Sequence, residues 1–152
     1  MERITSFTIN HNLLEPGFYI SRVDGDITTY DLRTRKPNVG DYMSNAAMHS
    51  VEHMVATYIR NSEYGDRVIY FGPMGCQTGF YLLMRDVEPM AVFELVKSVL
   101  LCVVNHEGVV FGASAMECGH YENLSLPLAQ EECGRYLRVL EAQTDLTFAY
   151  SE

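Results

Sequence analysis

The sequence predicts an α+β fold, an antiparallel β-sheet packed against helices, as a single domain over residues 1–152. Three observations point there: strand-like runs flank tight-turn signals, three long segments carry helical periodicity with caps, and no repeat or Pro/Gly/Ser linker divides the chain. With 152 residues, 47% hydrophobic and 20% charged, the chain is long and apolar enough to bury a core without disulfide staples.

Tyr19 to Val23 and Ile27 to Leu32 are strand-like runs on either side of Asp24-Gly25, which suits a tight hairpin turn. The first helix is expected from about Asn45 to Asn61, with Ser44 as N-cap and a core stripe of Ala47, Met48, Val51, Met54, Val55, Tyr58 and Ile59. Arg67 to Phe71 and Gly79 to Met84 are further strands, rich in β-branched and aromatic residues, joined through Gly72-Pro73-Met74-Gly75-Cys76-Gln77-Thr78. A second helix opens at Glu88-Pro89 and runs to about Val104, because proline suits a first helical turn. The third starts after Ser125, with Pro127 in its first turn, and runs to about Ala142.

Eleven Lys and Arg against twenty Asp and Glu leave a formal charge of −9, with no basic cluster. That argues against nucleic acid or an anionic membrane as partner, since both need Lys/Arg to neutralise phosphates. The most apolar region, Ala91 to Val104, is broken by Glu94 and Lys97 and reads as a core helix rather than a membrane span. Met1-Glu2-Arg3-Ile4-Thr5 lacks the basic start and apolar block of a signal peptide, so a cytoplasmic location is expected. Cys76, Cys102, Cys118 and Cys133 are dispersed and form no C-x-x-C pair, which suits free thiols or metal ligands. Cys102 is expected buried in its apolar run, and Cys133 to pack beside Gly134.

The chemistry concentrates in His49-Ser50-Val51-Glu52-His53, an H-x-x-E-H pattern inside the first helix. At about 100° per residue, His53 lies roughly 40° from His49 around the axis and Glu52 about 60° to the other side. Two imidazoles one turn apart can share a divalent ion, with the carboxylate close enough to move protons. Ala46, Ser50, Ala56 and Thr57 surround the histidines and leave room for a ligand. Glu117-Cys118-Gly119 offers a thiol as third ligand, and a His₂Cys set keeps a fourth position open, as catalytic sites do. Cys76 sits in a Gly/Pro-rich loop, where a thiol can be exposed yet aimed; a nearby cation would favour its thiolate. The pentapeptide also marks inverted zinc peptidases, in which Glu117 rather than Cys118 would touch the ion. A metal that merely braces a non-catalytic domain is the other alternative, and it requires a closed four-ligand site.

Ser6-Phe7, Asn10-His11-Asn12, Asp31-Leu32-Arg33, Pro37-Asn38, His49-x-x-Glu52-His53, Pro73-Met74-Gly75-Cys76-Gln77-Thr78-Gly79 and Glu117-Cys118-Gly119, in that order, closely resemble the S-ribosylhomocysteine lyase (LuxS) family. The resemblance implies an α+β homodimer with two identical active sites at the subunit interface. It places His49, His53 and Cys118 at the ligand positions of one divalent metal per subunit, Fe²⁺, with Zn²⁺ or Co²⁺ as substitutes. Glu52 and Cys76 fall on the acid/base positions, and Ser6, His11 and Arg33 on positions lining the substrate pocket. The implied reaction cleaves the thioether of S-ribosylhomocysteine to homocysteine and dihydroxypentanedione, precursor of autoinducer-2 type quorum signals; whether it serves signalling or the disposal of a methylation by-product is open from the sequence. Hydrolysis cannot do this: the sugar carbonyl must migrate until the sulfur stands β to an acidic proton and leaves by elimination. Thr34-Arg35-Lys36 is more basic than the family pattern, and the match loosens after Gly119, from His120-Tyr121-Glu122 onward.

Overall fold

In the computed structural model, which describes residues 1–151, four strands form one antiparallel sheet in the order β1-β2-β4-β3. β1 (Gly17–Asp24) and β2 (Ile27–Arg33) are the expected hairpin, and Gly25 takes φ 63 in its turn, a region glycine enters without steric cost. β3 (Val68–Pro73) and β4 (Gly79–Arg85) are the second hairpin, and β4 inserts beside β2, which leaves β1 and β3 on the borders.

The helices begin where the local signals put them. α1 (Asn45–Arg60) is capped by Ser44, whose side chain accepts from the Ala47 N–H, and α2 (Pro89–Val104) opens on proline. α3 (Leu126–Ala142) is capped by Ser125, which accepts from the Leu128 N–H. The expected stripe of α1 is buried except for Tyr58, which is half-buried and donates its hydroxyl to His106 Nδ1 at 2.7 Å.

Alternation sends Tyr30 and Leu32 of β2 and Phe80, Leu82 and Met84 of β4 into the helical layer, where they meet Val51, Val55, Phe93 and Leu100. Asp31 and Arg33 of β2, register-paired with Tyr81 and Gly79 of β4, therefore lie on the opposite face, yet Asp31 is 1% and Arg33 2% exposed. Two expectations are corrected. Cys102 is exposed beside the equally exposed Leu101, because α2 is apolar around most of its circumference and its sequence does not mark the outward face. Ser50 leaves no room for a ligand: it is fully buried, donating to the Ala46 carbonyl at 2.6 Å and accepting from the Ser125 N–H at 2.8 Å. Arg35, in the segment more basic than the family pattern, is 4% exposed, bonded to Glu132 and 3.3 Å from Asp41, so it ties its loop to α3. Among the described residues, no helix is long and apolar enough to cross a membrane.

Candidate metal centre and thiol cleft

His49 and His53 lie one turn apart on α1, with ring centroids 4.7 Å apart and planes at 89°. Their tautomers are set by what their Nδ1 atoms meet. His53 Nδ1 lies 2.8 Å from the Phe111 carbonyl, which can only accept, so Nδ1 carries the proton and Nε2 keeps its lone pair. His49 Nδ1 meets Asn123 Oδ1 at 2.5 Å, and Asn123 turns its amide nitrogen to Asn45 Oδ1 at 2.7 Å, which fixes its oxygen toward the ring. Hydrogen-bonded Nδ1 with free Nε2 is the arrangement metal-ligating histidines adopt.

Cys118 arrives from a loop in which its own N–H bonds the Ser114 carbonyl. Its Sγ is 3.3 Å from His49 Nε2 and accepts from the His120 N–H at 3.4 Å. The donor atoms of His49, His53 and Cys118 all lie within 4.8 Å of one another. A tetrahedral ion with bonds of about 2.0–2.3 Å holds its ligands roughly 3.3–3.8 Å apart, so this donor set fits a divalent metal with little adjustment. Gly112, at φ 68, lets the Phe111 loop approach: a Cβ there would sit 3.1 Å from His53 Nδ1. Glu52 and His53 line one cleft together with Thr57, Phe111 and Gly112. Glu117 bonds Ser114 at 2.6 Å, and the cluster takes Cys118 in its place, against the peptidase arrangement.

Cys76 lines a different cleft, of about 310 Å³, with His11, Asn38, Tyr42 and Thr78. That cleft shares no lining residue with the one at Glu52 and His53. Gln77, at φ 65, bends the Cys76 loop and pins it by donating its side-chain amide to the Met43 carbonyl at 2.8 Å. Arg33 Nη1 donates to Thr78 Oγ1 at 2.8 Å, so the Thr78 proton is free to point at Cys76 Sγ, 3.0 Å away; Nη1 itself lies 3.8 Å from that sulfur. Burial opposes the Arg33 charge, but Asp31 outweighs it and holds the guanidinium above its ordinary value. His11 donates Nδ1–H to the Ile9 carbonyl at 2.9 Å, and Ser6 is half-buried in the 3₁₀ turn Thr5–Phe7. Sequence reasoning missed Asn45, Asn123 and Asp31 as supports. Asp31 stands two residues from Arg33, whereas nothing near Asn45 or Asn123 signals a role.

Residues 4–146 match the family model described as S-Ribosylhomocysteinase (LuxS). The chain is similar to proteins named S-ribosylhomocysteine lyase: one from Clostridium beijerinckii is 44% identical and covers 90% of each chain. One from Borreliella burgdorferi is 43% identical over 92% of this chain and 93% of its own, and one from Desulfotalea psychrophila is 42% identical over 99% of both.

Proposed function

The chain belongs to the S-ribosylhomocysteinase (LuxS) family, and from that premise we propose how its residues divide the work of cleaving S-ribosylhomocysteine. It is a carbon–sulfur lyase that releases homocysteine and dihydroxypentanedione, the autoinducer-2 precursor. The observation that carries the assignment is the convergence of His49, His53 and Cys118 with both Nδ1 atoms already engaged.

These three residues would hold one divalent cation, Fe²⁺ in the proposed native state with Zn²⁺ or Co²⁺ able to replace it. When bound, the cation supplies Lewis-acid stabilisation of negative charge developing on sugar oxygens. Cys76, backed by Thr78 and Arg33, is assigned the protons moved as the carbonyl migrates along the sugar. Its exposed, rigid loop lets the sulfur reach a bound ligand. Glu52, beside His53, is assigned the final proton α to the migrated carbonyl; its removal forms a C=C bond as the C–S bond breaks, and the pair leaves on sulfur as homocysteine thiolate. Ser6 and His11 are assigned to the ribose hydroxyls, while Arg33, buried under the thiol, acts on the pocket through its charge.

We propose that a second copy of the chain completes each site. The separation of the Cys76 cleft from the Glu52–His53 cleft within one chain supports a homodimer in which each interface joins one cleft from either subunit. We further propose that the chain works as one domain in the cytoplasm, within the recycling of methylation by-products to methionine. Four free cysteines, two of them assigned to chemistry, support a reducing compartment.

The test is homocysteine release from S-ribosylhomocysteine, read as small-molecule thiol. Cys76→Ala and Glu52→Gln should each lower kcat by about 10²- to 10⁴-fold with metal content retained, whereas His49→Ala should lose the metal. Wild-type turnover in the first two variants would refute the assignment.

A further inference from the structure

Beneath Cys76 runs a chain of polar groups that ends on Tyr150, beyond residue 146, where the family match stops. Arg33 presents two edges. Its Nε and Nη2 donate to Asp31 Oδ1 and Oδ2 at 3.1 and 2.7 Å, and its remaining nitrogen, Nη1, faces Thr78 Oγ1 and Cys76 Sγ. Tyr150 donates its hydroxyl to the same Asp31 Oδ2 at 2.8 Å.

The C-terminal segment is seated rather than draped. Phe148 accepts from the Ile20 N–H at 2.7 Å and is 4% exposed against Phe18 and Phe93. It stands at φ 60, a backbone strain that a bulky residue sustains only where its surroundings over-determine it. Two residues on, the Tyr150 ring stacks on Tyr19 of β1 with centroids 5.1 Å apart. We propose that Tyr150 is a positioning residue for Cys76: it fixes the Asp31 carboxylate on one edge of Arg33 so that the other edge stays aimed at the thiol.

The sign of the effect follows from the charges. The hydroxyl spreads part of the Asp31 charge onto a neutral donor. Without it, the carboxylate draws Arg33 toward itself and opposes negative charge on Cys76 more strongly. The groups around this thiol are Arg33 from β2, with Asp31 behind it, Thr78 and Tyr81 from β4 and its approach, and His11 and Tyr42 from the cleft walls. Burial and Asp31 raise both Tyr81 and Tyr150, so both phenols are neutral at physiological pH. His11 bonds the Ile9 carbonyl and has no hydrogen bond to the Tyr150–Asp31–Arg33 chain.

The functional meaning rests on Cys76 as an acid/base residue, but the test needs no turnover. The full chain is alkylated with iodoacetamide across a pH series, and Cys76 and Cys102 are followed separately by peptide mass spectrometry. Cys102, exposed on α2, serves as internal standard. In Tyr150→Phe, which keeps the stacked ring, the pH midpoint for Cys76 should rise and its rate at neutral pH fall by about three- to tenfold, with Cys102 unchanged. Truncation after Ala149, which keeps the Phe148 bond to Ile20, is the second variant and should shift Cys76 in the same direction. Unchanged Cys76 profiles in both variants, or equal changes at Cys76 and Cys102, would overturn the inference. A shifted profile combined with full turnover by Cys76→Ala would sustain it and refute the catalytic reading alone.

Discussion

Asn123 shows how much of a metal centre is decided by a residue that never touches the ion. Its amide oxygen holds His49 by Nδ1 and its nitrogen is held by Asn45, so one side chain sets both the tautomer and the ring plane. Asn123→Ala should weaken metal binding about 10- to 100-fold, read by competition with a chelator. Asn123→Asp, which still offers an acceptor, should recover most of that loss. The ligands themselves were legible because H-x-x-E-H states its geometry within one helical turn. Asn123 was not, because its partner His49 lies 74 residues away and an asparagine carries no signal at that range. The Phe111 carbonyl was beyond reach for another reason: a backbone oxygen has no residue type to read.

Between elements, the junction of α1 and α3 turns on Ser50. Its hydroxyl accepts the N–H of Ser125, the cap of α3, and gives its own proton to the Ala46 carbonyl. Ser50→Ala leaves the half-buried Ser125 donor without this partner, beside a fully buried position, and should cost roughly 1–3 kcal/mol in denaturant unfolding. The start of α3 should loosen first, seen as faster amide exchange there. Helix limits were readable because capping is local: Ser44, Ser125 and Pro89 each announce a start within one turn. Which face of α2 looks outward was not, since Leu101 and Cys102 are as apolar as the residues that pack. The hairpins followed from turn chemistry, while the insertion of β4 beside β2 is a long-range pairing that no dipeptide encodes.

The whole molecule carries a pH signature in its tyrosines. Burial is the first cause raising Tyr19, Tyr30, Tyr81, Tyr136 and Tyr150 above the ordinary 10.0, with Tyr30 pushed up to about 12. The folded chain therefore holds these protons more tightly than the unfolded chain. The resulting stability is complete below about pH 10 and drains away as pH climbs toward and past about 12. Tyrosinate absorbance should show a normal exposed class first and a delayed class that appears together with loss of folded circular dichroism. Titration of all the tyrosines as one class, before unfolding, would contradict it. At this scale the sequence disclosed an antiparallel sheet under helices, but not that Asp31 and Arg33 are buried on the face away from those helices. Alternation placed them outward; tyrosines at 19, 81 and 150, arriving from separate parts of the chain, enclose them.

The two borders of the sheet are guarded against accretion. β1 breaks register between Ile20 and Arg22 and has its Ile20 donor occupied by the C-terminal segment; β3 breaks register between Val68 and Tyr70 and finishes on a proline without an N–H. A stray strand from a misfolded neighbour finds no straight ladder on which to nucleate: growth at β1 requires first stripping away the tail, and growth at β3 meets a bulge and a proline.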